Sequence, residues 1–567
     1  MISAKRGDFD ETASRFGIDK VIARLIRNRD VIGDDQVEKY LHGSLDDLYA
    51  PELMKDLEKA GQIVIDAIDE DRKIRVIGDY DIDGIMATYI LMHALQKLGA
   101  DVDFAVPDRI RDGYGINAEL IREAFADGVG LILTCDNGIA AAEQVELAHE
   151  LGIAIVITDH HSIPYEEDAA GRRYLLPAAD AVVDAKQEDC AYPFKELCGA
   201  AVAFKLVCFL FEELGLPKEE AYAYLQFAAI ATVGDVVDLK DENRIIVKEG
   251  LKQIHTTSHT GLLALIEKCG IDRASVETYH IGFVIGPCLN ASGRLDTADR
   301  ALALLMAKDR NEALVTAGEL CELNGMRKAM TENETARAVE IIETSERKND
   351  RVLVVYLQGC HESIAGIIAG RLRERYSRPA FVLTDSKDGV KGSGRSTDAY
   401  AMYDELVKVK NHLVRFGGHK AAAGISLETG KSEEFRRAVN EVCELKPEDL
   451  EEVVHLDLRL PIGYLSEGLI DQMEVLKPFG KGNERPLFAD KSLRIRNASL
   501  IGKNRNVLKM RLMDERGFCV DAVCFRDAAD VYEKIKERDS VTVSYYPTIN
   551  EYQGRRSIQL VIRDFML

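Results

Sequence analysis

The amino-acid sequence predicts an α/β protein of several domains, and three observations lead to that prediction. From residue 71 onward, short and nearly continuous apolar runs alternate with helical patterns, which indicates a parallel sheet covered on both faces. The same alternation returns over residues 349–450, after a long stretch with the composition of a helix. Residues 451–567 alternate polar and apolar side chains, as the strands of a small antiparallel barrel of OB type do.

The chain has 567 residues, which is enough for several hydrophobic cores, and we divide it into five segments. A helical N-terminal extension precedes the first α/β domain. A connecting helix then leads to the second α/β domain, and the barrel follows. In that order the predicted segments are residues 1–70, 71–300, 301–348, 349–450 and 451–567.

Composition predicts a cytoplasmic protein that does not contact a membrane. Charged residues make up 30% of the chain and hydrophobic residues 46%, which is ordinary for a globular protein. The first residues lack the apolar core of a signal peptide, and no apolar run approaches the roughly 18 residues of a membrane span. The 11 cysteines are scattered without a CxxC pair, which argues against a disulfide framework or a zinc ribbon.

The net charge of −23 argues against a protein that binds nucleic acid non-specifically through a basic surface over the whole molecule. One local stretch, residues 491–513, has the opposite character and contains no acidic residue. Its basic residues are Lys491, Arg494, Arg496, Lys503, Arg505, Lys509 and Arg511. We therefore predict that the C-terminal barrel binds nucleic acid through charge.

The motif IGDYDIDG at residues 77–84 places Asp79, Asp81 and Asp83 at every second position. On extended backbone the three carboxylates would point the same way, and a divalent cation would relieve their repulsion. The motif also matches the first half of an EF-hand loop, but the twelfth position, which needs a glutamate, is Ile90. Three solvated aspartates in a turn remain the simpler alternative.

Further polar groups follow the later apolar runs. Asp136 follows one run, and Asp159, His160 and His161 follow the next. Asp235 ends an apolar helical region and could reach the same place. Because ligands of open α/β sheets bind beyond the carboxyl ends of the strands, we expect these groups to converge. Adjacent histidines on a strand face opposite sides, so one would be a ligand and the other a partner of substrate or ligand. Turn, cap and purely structural roles remain open for each residue taken alone.

Carboxylates with an imidazole suit Mn²⁺ or Mg²⁺, and the imidazole favours Mn²⁺. Two such ions about 4 Å apart would polarise a phosphate between them, so the predicted reaction is hydrolysis of a phosphoester or phosphoanhydride. The sequence contains neither a P-loop nor a dinucleotide-binding glycine motif, so nucleotide-driven work is not indicated.

The motifs IGDYDIDG, CDNG and TDHH, in this order, resemble those of the DHH phosphoesterase superfamily. LNASGR at residues 289–294, KGSGRS at 391–396 and FGGHKAAAG at 416–424 resemble the DHH-associated half of the family. PFGKGNERPLF at 478–488 resembles the start of the OB-like domain found in the superfamily's single-strand-specific DNA exonucleases. The resemblance implies a parallel-sheet DHH lobe and a second, DHH-associated lobe joined by a long helix, with the OB-like barrel at the C-terminus.

The resemblance also implies an activity, namely 5′→3′ hydrolysis of single-stranded DNA to mononucleotides in DNA repair and recombination. It assigns two metal ions to Asp79, Asp81, Asp83, Asp136, His160 and Asp235. We expect Asp136, His160 and His161 to be the catalytic groups. The predicted partners are single-stranded DNA and other repair or replication proteins, and the chain is expected to be a monomer.

Residues for binding the strand are predicted from charge, aromatic rings and glycine-rich turns. An arginine for phosphate beside a tyrosine for base stacking suits a single-strand groove, and small residues with hydroxyls suit a backbone phosphate. The predicted set is Arg109, Tyr114, Asn290, Arg294, Ser393, Arg395, Ser396, Gly418 and His419. Surface loops and glycine turns without a ligand remain alternatives at these positions.

The chain departs from the family pattern at three places. Cys360-His361 stands where Trp-His is usual, and Cys288 and Asp238 replace an expected Arg or Leu and an expected Pro. Two other functions stay open at this point. One is a sister phosphodiesterase acting on cyclic dinucleotides, short oligonucleotides or polyphosphate, which would not need the barrel. The other is a non-catalytic replication scaffold, which would have lost metal ligands.

Overall fold

The structure, a computed structural model, describes residues 1–3, 5–168, 171–387 and 389–566. It begins with four helices: α1 (Phe9–Phe16), α2 (Lys20–Asn28), α3 (Asp34–His42) and α4 (Leu57–Asp69). Among the helices of the described residues, none is both apolar enough and long enough to cross a bilayer.

The first α/β lobe is built on a five-stranded, all-parallel sheet with strand order β2-β1-β3-β4-β7. The predicted parallel sheet is therefore confirmed. Its strands and the hairpin β5-β6 are β1 (Ile74–Ile77), β2 (Val102–Ala105), β3 (Leu131–Cys135), β4 (Ala154–Thr158), β5 (Tyr165–Asp168), β6 (Gly171–Tyr174) and β7 (Ala181–Val183). The helices between them are α5 (Ile82–Lys97), α6 (Ala118–Ala126) and α7 (Ala142–Glu150). Because β2 and β3 lie on opposite sides of β1, the strand order reverses there, and such a switch point places a crevice at the carboxyl ends of β1 and β3.

A helical region completes this lobe. Its helices are α8 (Gly199–Glu213), α9 (Lys218–Tyr222), α10 (Leu225–Gly234), α11 (Asp241–Thr256), α12 (Thr260–Lys268), α13 (Thr278–His280), α14 (Gly286–Leu295), α15 (Asp299–Met306) and α16 (Arg310–Glu343). A π-helical turn over residues 281–285 joins α13 to α14. The segment predicted to be one helix connecting the lobes forms two helices. Helix α15 ends at Met306, and the Asp309 side chain caps the N-terminus of α16.

The second lobe has a mixed five-stranded sheet of order β11-β12-β10-β9-β8, in which β8 and β9 are parallel and the other pairs antiparallel. Its elements are β8 (Leu353–Tyr356), α17 (Glu362–Tyr376), β9 (Ala380–Ser386), β10 (Gly389–Arg395), α18 (Met402–Lys408), β11 (Arg415–Gly418), β12 (Ala422–Leu427) and α19 (Ser432–Glu441). KGSGRS thus lies on β10, and FGGHKAAAG forms the β11-β12 turn.

The C-terminal domain is a six-stranded barrel of order β13-β14-β15-β16-β18-β17, closed by pairing of β14 with β17. Its elements are β13 (Leu458–Arg459), α20 (Glu467–Met473), β14 (Phe488–Ile501), β15 (Val507–Met513), β16 (Cys519–Cys524), α21 (Ala528–Ile535), β17 (Ser540–Tyr552) and β18 (Arg555–Met566). The predicted small barrel is confirmed, but it is not antiparallel throughout, because β13 pairs with β14 and β16 with β18 in parallel. All seven basic residues of the stretch 491–513 are exposed on it.

The N-terminal helices do not form a unit of their own. Helices α2 and α3 share one hydrophobic core with the barrel, in which Ile22 and Leu25 pack with Phe488 and Tyr545. The buried Arg29 side chain reinforces this contact by donating to the Asn483 Oδ1 atom at 2.7 Å. Helix α4 instead belongs to the core of the first lobe. The extension therefore joins the two ends of the chain.

Replacing Leu25 with alanine should lower the free energy of unfolding of the C-terminal barrel by about 3 kcal/mol. Leu25 is fully buried, so the substitution removes packed methyl groups and leaves a cavity between α2 and the strands. Urea unfolding followed by circular dichroism measures the change. Ile32, which is 57% exposed, provides the matched control as Ile32→Ala. A loss below about 1 kcal/mol for Leu25→Ala would show that the helix is not part of that core.

Candidate active site and metal centre

The aspartate motif forms a strand-to-helix turn. Strand β1 ends at Ile77 and α5 begins at Ile82, so the motif is not extended over its length. Asp81 caps the helix, and its Oδ1 atom accepts hydrogen bonds from the backbone N–H groups of Asp83 at 3.0 Å and Gly84 at 3.2 Å. The expectation that extended backbone would point all three carboxylates the same way was wrong. A cap satisfies otherwise unpaired N–H groups of the first turn and so favours an early helix start.

Asp83 lies in the first turn of α5 and is 1% exposed. Its carboxylate accepts hydrogen bonds from the backbone N–H groups of Gly199 and Ala200, each at 2.7 Å, at the start of α8. Burial raises the pKa of Asp83 to about 6, with the Asp81 carboxylate adding to the effect, while the two hydrogen bonds oppose it. The backbone N–H groups at the N-terminus of α8 therefore stabilise this buried carboxylate in place of water.

Asp136 follows β3 in left-handed backbone conformation, with φ of 61°. The side chain of Asn137 fixes this turn by donating to the carbonyls of Ile77 at 3.0 Å and Cys135 at 2.9 Å. On its other side, Gly199 approaches so closely that a Cβ atom there would lie 2.5 Å from the Asp136 Cβ atom. The position of the Asp136 carboxylate is thus determined by neighbours from two other elements.

Three carboxylates from separate elements converge on one nitrogen of His160. Its Nε2 atom lies 3.0 Å from Asp136 Oδ1, 3.5 Å from Asp83 Oδ2 and 3.9 Å from Asp235 Oδ2. These groups come from different strand and helix ends, as the sequence predicts for a site at the carboxyl edge of the sheet. Burial chiefly lowers the pKa of His160 to about 4, so the imidazole is neutral near pH 7, as a metal ligand must be.

His161 lies on the same side as His160, not on the opposite side as expected. Strand β4 ends at Thr158, so strand alternation no longer applies, and the two ring centroids are 4.4 Å apart. Its Nδ1 atom is 3.9 Å from Asp136 Oδ1 and 2.8 Å from Asp159 Oδ1. Burial lowers the pKa of His161, but Asp159 and the other carboxylates outweigh it and raise the pKa to about 9.

Sequence reasoning did not assign a role to Asp159, although this residue organises the turn. It is 1% exposed and accepts hydrogen bonds from the backbone N–H groups of Ile139 at 2.9 Å and His160 at 2.7 Å. It also orients the His161 ring. A carboxylate preceding two histidines is a recognisable signal, because histidines at metal sites are usually held by a carboxylate through the second ring nitrogen.

The donor atoms fit divalent metal ions. Two sets, Asp83-His160-Asp235 and Asp136-His160-His161, each have ligand atoms within 4.8 Å of one another. The buried Asp136 Oδ1 atom makes no hydrogen bond and lies 3.0 Å from His160 Nε2, so a cation bound by both atoms would satisfy this oxygen. Asp79 Oδ2 is likewise buried and unpaired. Burial and neighbouring carboxylates raise the pKa values of Asp79 and Asp136 well above the usual range. A cation is the missing counter-charge.

Asp79 and Asp81 lie beside these two sets of ligands and belong to neither, among the residues that the structure describes. Asp79 is fully buried and accepts a long hydrogen bond of 3.4 Å from the backbone N–H of Gly115. Its carboxylate nevertheless raises the pKa of Asp136, together with the carboxylates of Asp83, Asp81 and Asp159, after the larger effect of burial. Both residues are therefore near enough to contribute charge to a bound ion.

In the absence of divalent ions, Asp136→Asn should stabilise the protein, and increasingly so as pH rises above about 4. The folded state raises the pKa of Asp136, so the stability contributed by its proton is present below the ordinary value of 3.8 and lost as pH rises through the folded pKa. Asparagine does not titrate and avoids that loss, which is at most about 1.4 kcal/mol per pH unit. Urea unfolding in EDTA at several pH values measures the difference. A difference independent of pH would contradict the electrostatic account.

The predicted strand-binding residues separate into two groups. Arg109 stacks over the Tyr80 ring at 4.1 Å and, with Ser393, lines a cavity of about 340 Å³ between the two lobes. Lys391 and Arg415 line the same cavity. The exposed Tyr114 donates from its hydroxyl to the backbone carbonyl of Asp136 at 2.7 Å, beside the metal ligands. These positions are open to a ligand.

The other predicted residues make internal contacts. Asn290 Oδ1 accepts from the backbone N–H of Ile82 at 2.8 Å, and the buried Ser396 hydroxyl donates to the Tyr400 carbonyl. A side chain on Gly418 would collide with the carbonyl of Ala422, so this glycine is required by the turn itself. Asn290, Ser396 and Gly418 therefore stabilise the local backbone through contacts within the protein.

Arginines at the lobe boundary are partly committed to the protein. Arg294 donates from Nη1 to the Ser363 carbonyl at 2.7 Å, across the lobe boundary. Arg395 donates to the carbonyl of Gly394 at 2.8 Å. Burial lowers the pKa of Arg294 to about 9 and also lowers that of Arg395. His419 is exposed at the β11-β12 turn, where its Nδ1 atom accepts from the Ala421 backbone N–H at 3.2 Å.

A second cavity, of about 900 Å³, lies between the first lobe and the barrel. It is lined by Gly234 and Val236, the neighbours of Asp235 in the chain. Tyr279 and Phe283, which are 61% and 67% exposed, stack within it at 5.1 Å between ring centroids. Its barrel side carries Lys477, Lys481, Arg485 and Tyr546. Glu277, Glu474 and Glu484 also line it, and Lys477 is paired with Glu277 and with Glu474, each at 2.8 Å. The stacked rings thus face a surface of mixed charge, and sequence reasoning did not single out this aromatic pair.

Three domain families match the chain. The DHH family N-terminal domain covers residues 73–232, the DHHA1 domain covers 349–445 and the RecJ OB domain covers 456–564. The single-stranded-DNA-specific exonuclease RecJ of Bacillus subtilis strain 168 is 36% identical over 567 residues, or 99% of this chain and 70% of the relative. The RecJ of Escherichia coli K12 is 33% identical, over 99% of this chain and 98% of the relative. This chain belongs to the RecJ family.

Solved RecJ structures have the same fold. The RecJ of Thermus thermophilus in complex with Mn²⁺ superposes with a TM-score of 0.83 at 28% identity, covering 100% of this chain and 79% of the other. The same protein in complex with Mg²⁺ gives a TM-score of 0.77 at 27% identity, covering 99% and 77%. The DHH, DHH-associated and OB parts expected from the sequence are therefore those of a RecJ-type protein.

Proposed function

We propose that this chain is a metal-dependent exonuclease that degrades single-stranded DNA from the 5′ end to mononucleotides, in DNA repair and recombination. The observation that carries the proposal is the convergence of Asp83, Asp136 and Asp235 on His160 at the carboxyl edge of a parallel sheet. The names of the RecJ relatives, which describe single-stranded-DNA-specific exonucleases, support the substrate.

The metal ligands in this proposal are Asp83, Asp136, His160 and Asp235, with Asp79 and Asp81 adding negative charge beside them. Two Mn²⁺ or Mg²⁺ ions held there would polarise the scissile phosphate and make a water molecule more acidic. The RecJ of Thermus thermophilus has been solved in complex with each of these ions, which supports the choice.

The protein's own side chains and backbone hold these groups in position, and they place the His161 ring beside the scissile phosphate. The N-terminus of α8 fixes the Asp83 carboxylate, and the Asn137 side chain fixes the turn that carries Asp136. Asp159 accepts from the His161 ring, which is 43% exposed in its side chain and faces the crevice. We assign His161 to a phosphate oxygen of the substrate, as a hydrogen-bond donor oriented by Asp159.

The cavity of about 340 Å³ between the lobes is proposed to bind the terminal phosphate. Its lining combines the cations of Arg109, Lys391 and Arg415 with the hydroxyl of Ser393, which is suitable chemistry for a phosphate group. One carboxylate, Glu362, also lines it and is neutralised by Lys391 at 3.0 Å. Arg109 links the cavity to the metal centre through its contact with Tyr80, between two of the aspartates.

The remaining strand is proposed to follow the cavity of about 900 Å³ toward the barrel. Bases would stack on Tyr279 and Phe283, and the phosphates would meet Arg485 before reaching the exposed basic strands β14 and β15. Stacking on an open ring requires an unpaired base, so this path favours single strands over duplexes.

The test is digestion of end-labelled single-stranded and double-stranded DNA in Mn²⁺, with Asp136→Ala as the inactive comparison. The proposal expects release of labelled mononucleotides first from a 5′-labelled single strand, with late release from a 3′ label and little from the duplex. Equal digestion by Asp136→Ala would overturn the metal assignment. Early release of a 3′ label would overturn the polarity alone.

The sister activity on short oligonucleotides or cyclic dinucleotides is less well supported, because the chain carries the barrel with its seven exposed basic residues. Deleting residues 455–567 would not separate the two activities cleanly, since the barrel shares its core with α2 and α3. Reversing charge on the surface is the better test. Arg494→Glu with Lys509→Glu should slow digestion of long strands and leave dinucleotide hydrolysis unchanged.

A further inference from the structure

Three cysteines outside the catalytic crevice converge from three helices. Cys269 follows α12, Cys288 lies on α14 and Cys321 lies on α16. The Sγ atom of Cys269 is 3.9 Å from that of Cys288 and 3.9 Å from that of Cys321, and all three sulfurs lie within 4.8 Å of one another. The residues are 19 and 33 positions apart in the chain, counted from 269 to 288 and from 288 to 321, so only the fold brings them together.

The spacing of the sulfurs matches that of a thiolate metal site. Zinc–sulfur bonds of about 2.3 Å in a tetrahedron place neighbouring sulfurs about 3.8 Å apart. We propose that Cys269, Cys288 and Cys321 bind one thiophilic cation of the Zn²⁺ class, as a structural site separate from the catalytic metals. Cys288 is 3% exposed while the other two are half-buried, so one side of the site is open for the ion and for a fourth ligand.

The surroundings supply the groups that such a site needs. Asn324, which is 4% exposed, donates from Nδ2 to the Cys288 Sγ atom at 3.3 Å. Arg327 holds the Asn324 amide in that orientation by donating to its Oδ1 atom at 2.9 Å and 3.1 Å. Donors to the sulfur and nearby positive charge both offset the excess charge of three thiolates around a divalent ion.

Ligand chemistry separates this site from the catalytic centre. Thiolates select Zn²⁺ and related soft or borderline ions, whereas carboxylates with one imidazole suit Mn²⁺ and Mg²⁺. A disulfide would use only two of the three sulfurs, whereas one cation uses all of them. The catalytic ions and the structural ion can therefore be loaded and removed independently.

The position of the site gives it a consequence for the fold. Helix α14 also carries Asn290, which holds the start of α5 beside the catalytic aspartates, and Arg294, which donates to the second lobe. Helix α16 leads into that second lobe. An ion bound between α12, α14 and α16 would cross-link α16, which joins the lobes, to α14, which contacts the start of α5.

Co²⁺ is the probe for the test, because thiolate ligands give it an intense charge-transfer absorption that carboxylates and imidazole do not. Chelator-treated, reduced full-length protein should show this band, saturating at one equivalent per chain, and Zn²⁺ should abolish it by displacement. Cys321→Ser should lose the band and bind Zn²⁺ about 100-fold more weakly in competition with a chelating dye. Cys519→Ser, another half-buried thiol, is the matched control and should behave as the parent.

Asp136→Asn should retain the band, since the catalytic ligands are not involved. Circular dichroism of Cys321→Ser in EDTA establishes that the variant is folded, and Zn²⁺ should raise the melting temperature of the parent by more than that of this variant, which retains the carboxylate-imidazole centre. Absence of the band in the reduced parent would overturn the proposal. Persistence of the band in Cys321→Ser, or its loss in Cys519→Ser, would also overturn it. These outcomes do not depend on nuclease activity.

Discussion

Replacing Asp136 with asparagine is expected to reduce Mn²⁺-dependent digestion of single-stranded DNA by about 10³-fold or more. The carboxylate is lost from a site where it lies 3.0 Å from His160 Nε2, while the size of the side chain stays the same. Asparagine suits the measurement better than alanine because Asp136 has φ of 61°, a conformation that asparagine tolerates and alanine adopts at a cost of about 1 kcal/mol. Initial rates on a 5′-labelled strand at saturating Mn²⁺ measure the effect.

The control for this prediction is Asp101→Asn, at an exposed aspartate of the same lobe. It removes the same charge without touching the crevice and should leave the rate within about twofold of the parent. Circular dichroism checks that both variants are folded. If Asp136→Asn keeps more than a tenth of the parent rate, Asp136 is not a metal ligand in the reaction.

Replacing both Tyr279 and Phe283 with alanine is expected to weaken binding of long single strands by about 10- to 100-fold, because each base stacked on an aromatic ring contributes about 1–3 kcal/mol. Both rings are more than half exposed, so their removal leaves the core intact. Binding of a fluorescent strand to Asp136→Asn protein, with and without the two substitutions, measures the change without digestion.

Hydrolysis of a dinucleotide should be unaffected by the same double substitution, because so short a substrate does not extend into the cavity beside Asp235. Phe125, which is 53% exposed on α6, gives the matched control as Phe125→Ala. Equal weakening by Phe125→Ala would mean that exposed aromatics contribute non-specifically. Unchanged binding in the double variant would place the strand elsewhere.

Local patterns are sufficient to predict the candidate catalytic centre. They indicate Asp136 and His160 because each follows a nearly continuous apolar run, and parallel strands bring their carboxyl ends to one edge. Which side chains contact one another within this centre is harder to predict from sequence. The helix cap at Asp81 and the end of β4 before His160 depend on where an element ends, and element ends are weakly encoded in periodicity.

Residues predicted to bind DNA show what local sequence leaves open. Ser396 and Asn290 have the polar side chains expected of a binding loop, yet both satisfy backbone groups inside the protein. A polar side chain in a glycine-rich motif looks the same in sequence whether it faces a ligand or a buried carbonyl. The aromatic pair at Tyr279 and Phe283 was missed for the opposite reason, since exposure is a property of the folded surface.

The sequence by itself determined the class of each domain, the acidic and imidazole groups at the strand ends, and the basic surface of the barrel, because each is written in neighbouring residues. Only the tertiary structure decided which distant groups meet. It joined α2 to the barrel, placed Asp159 against His161 and gathered Cys269, Cys288 and Cys321. Such contacts depend on how whole elements pack against one another, and local periodicity carries no record of that packing.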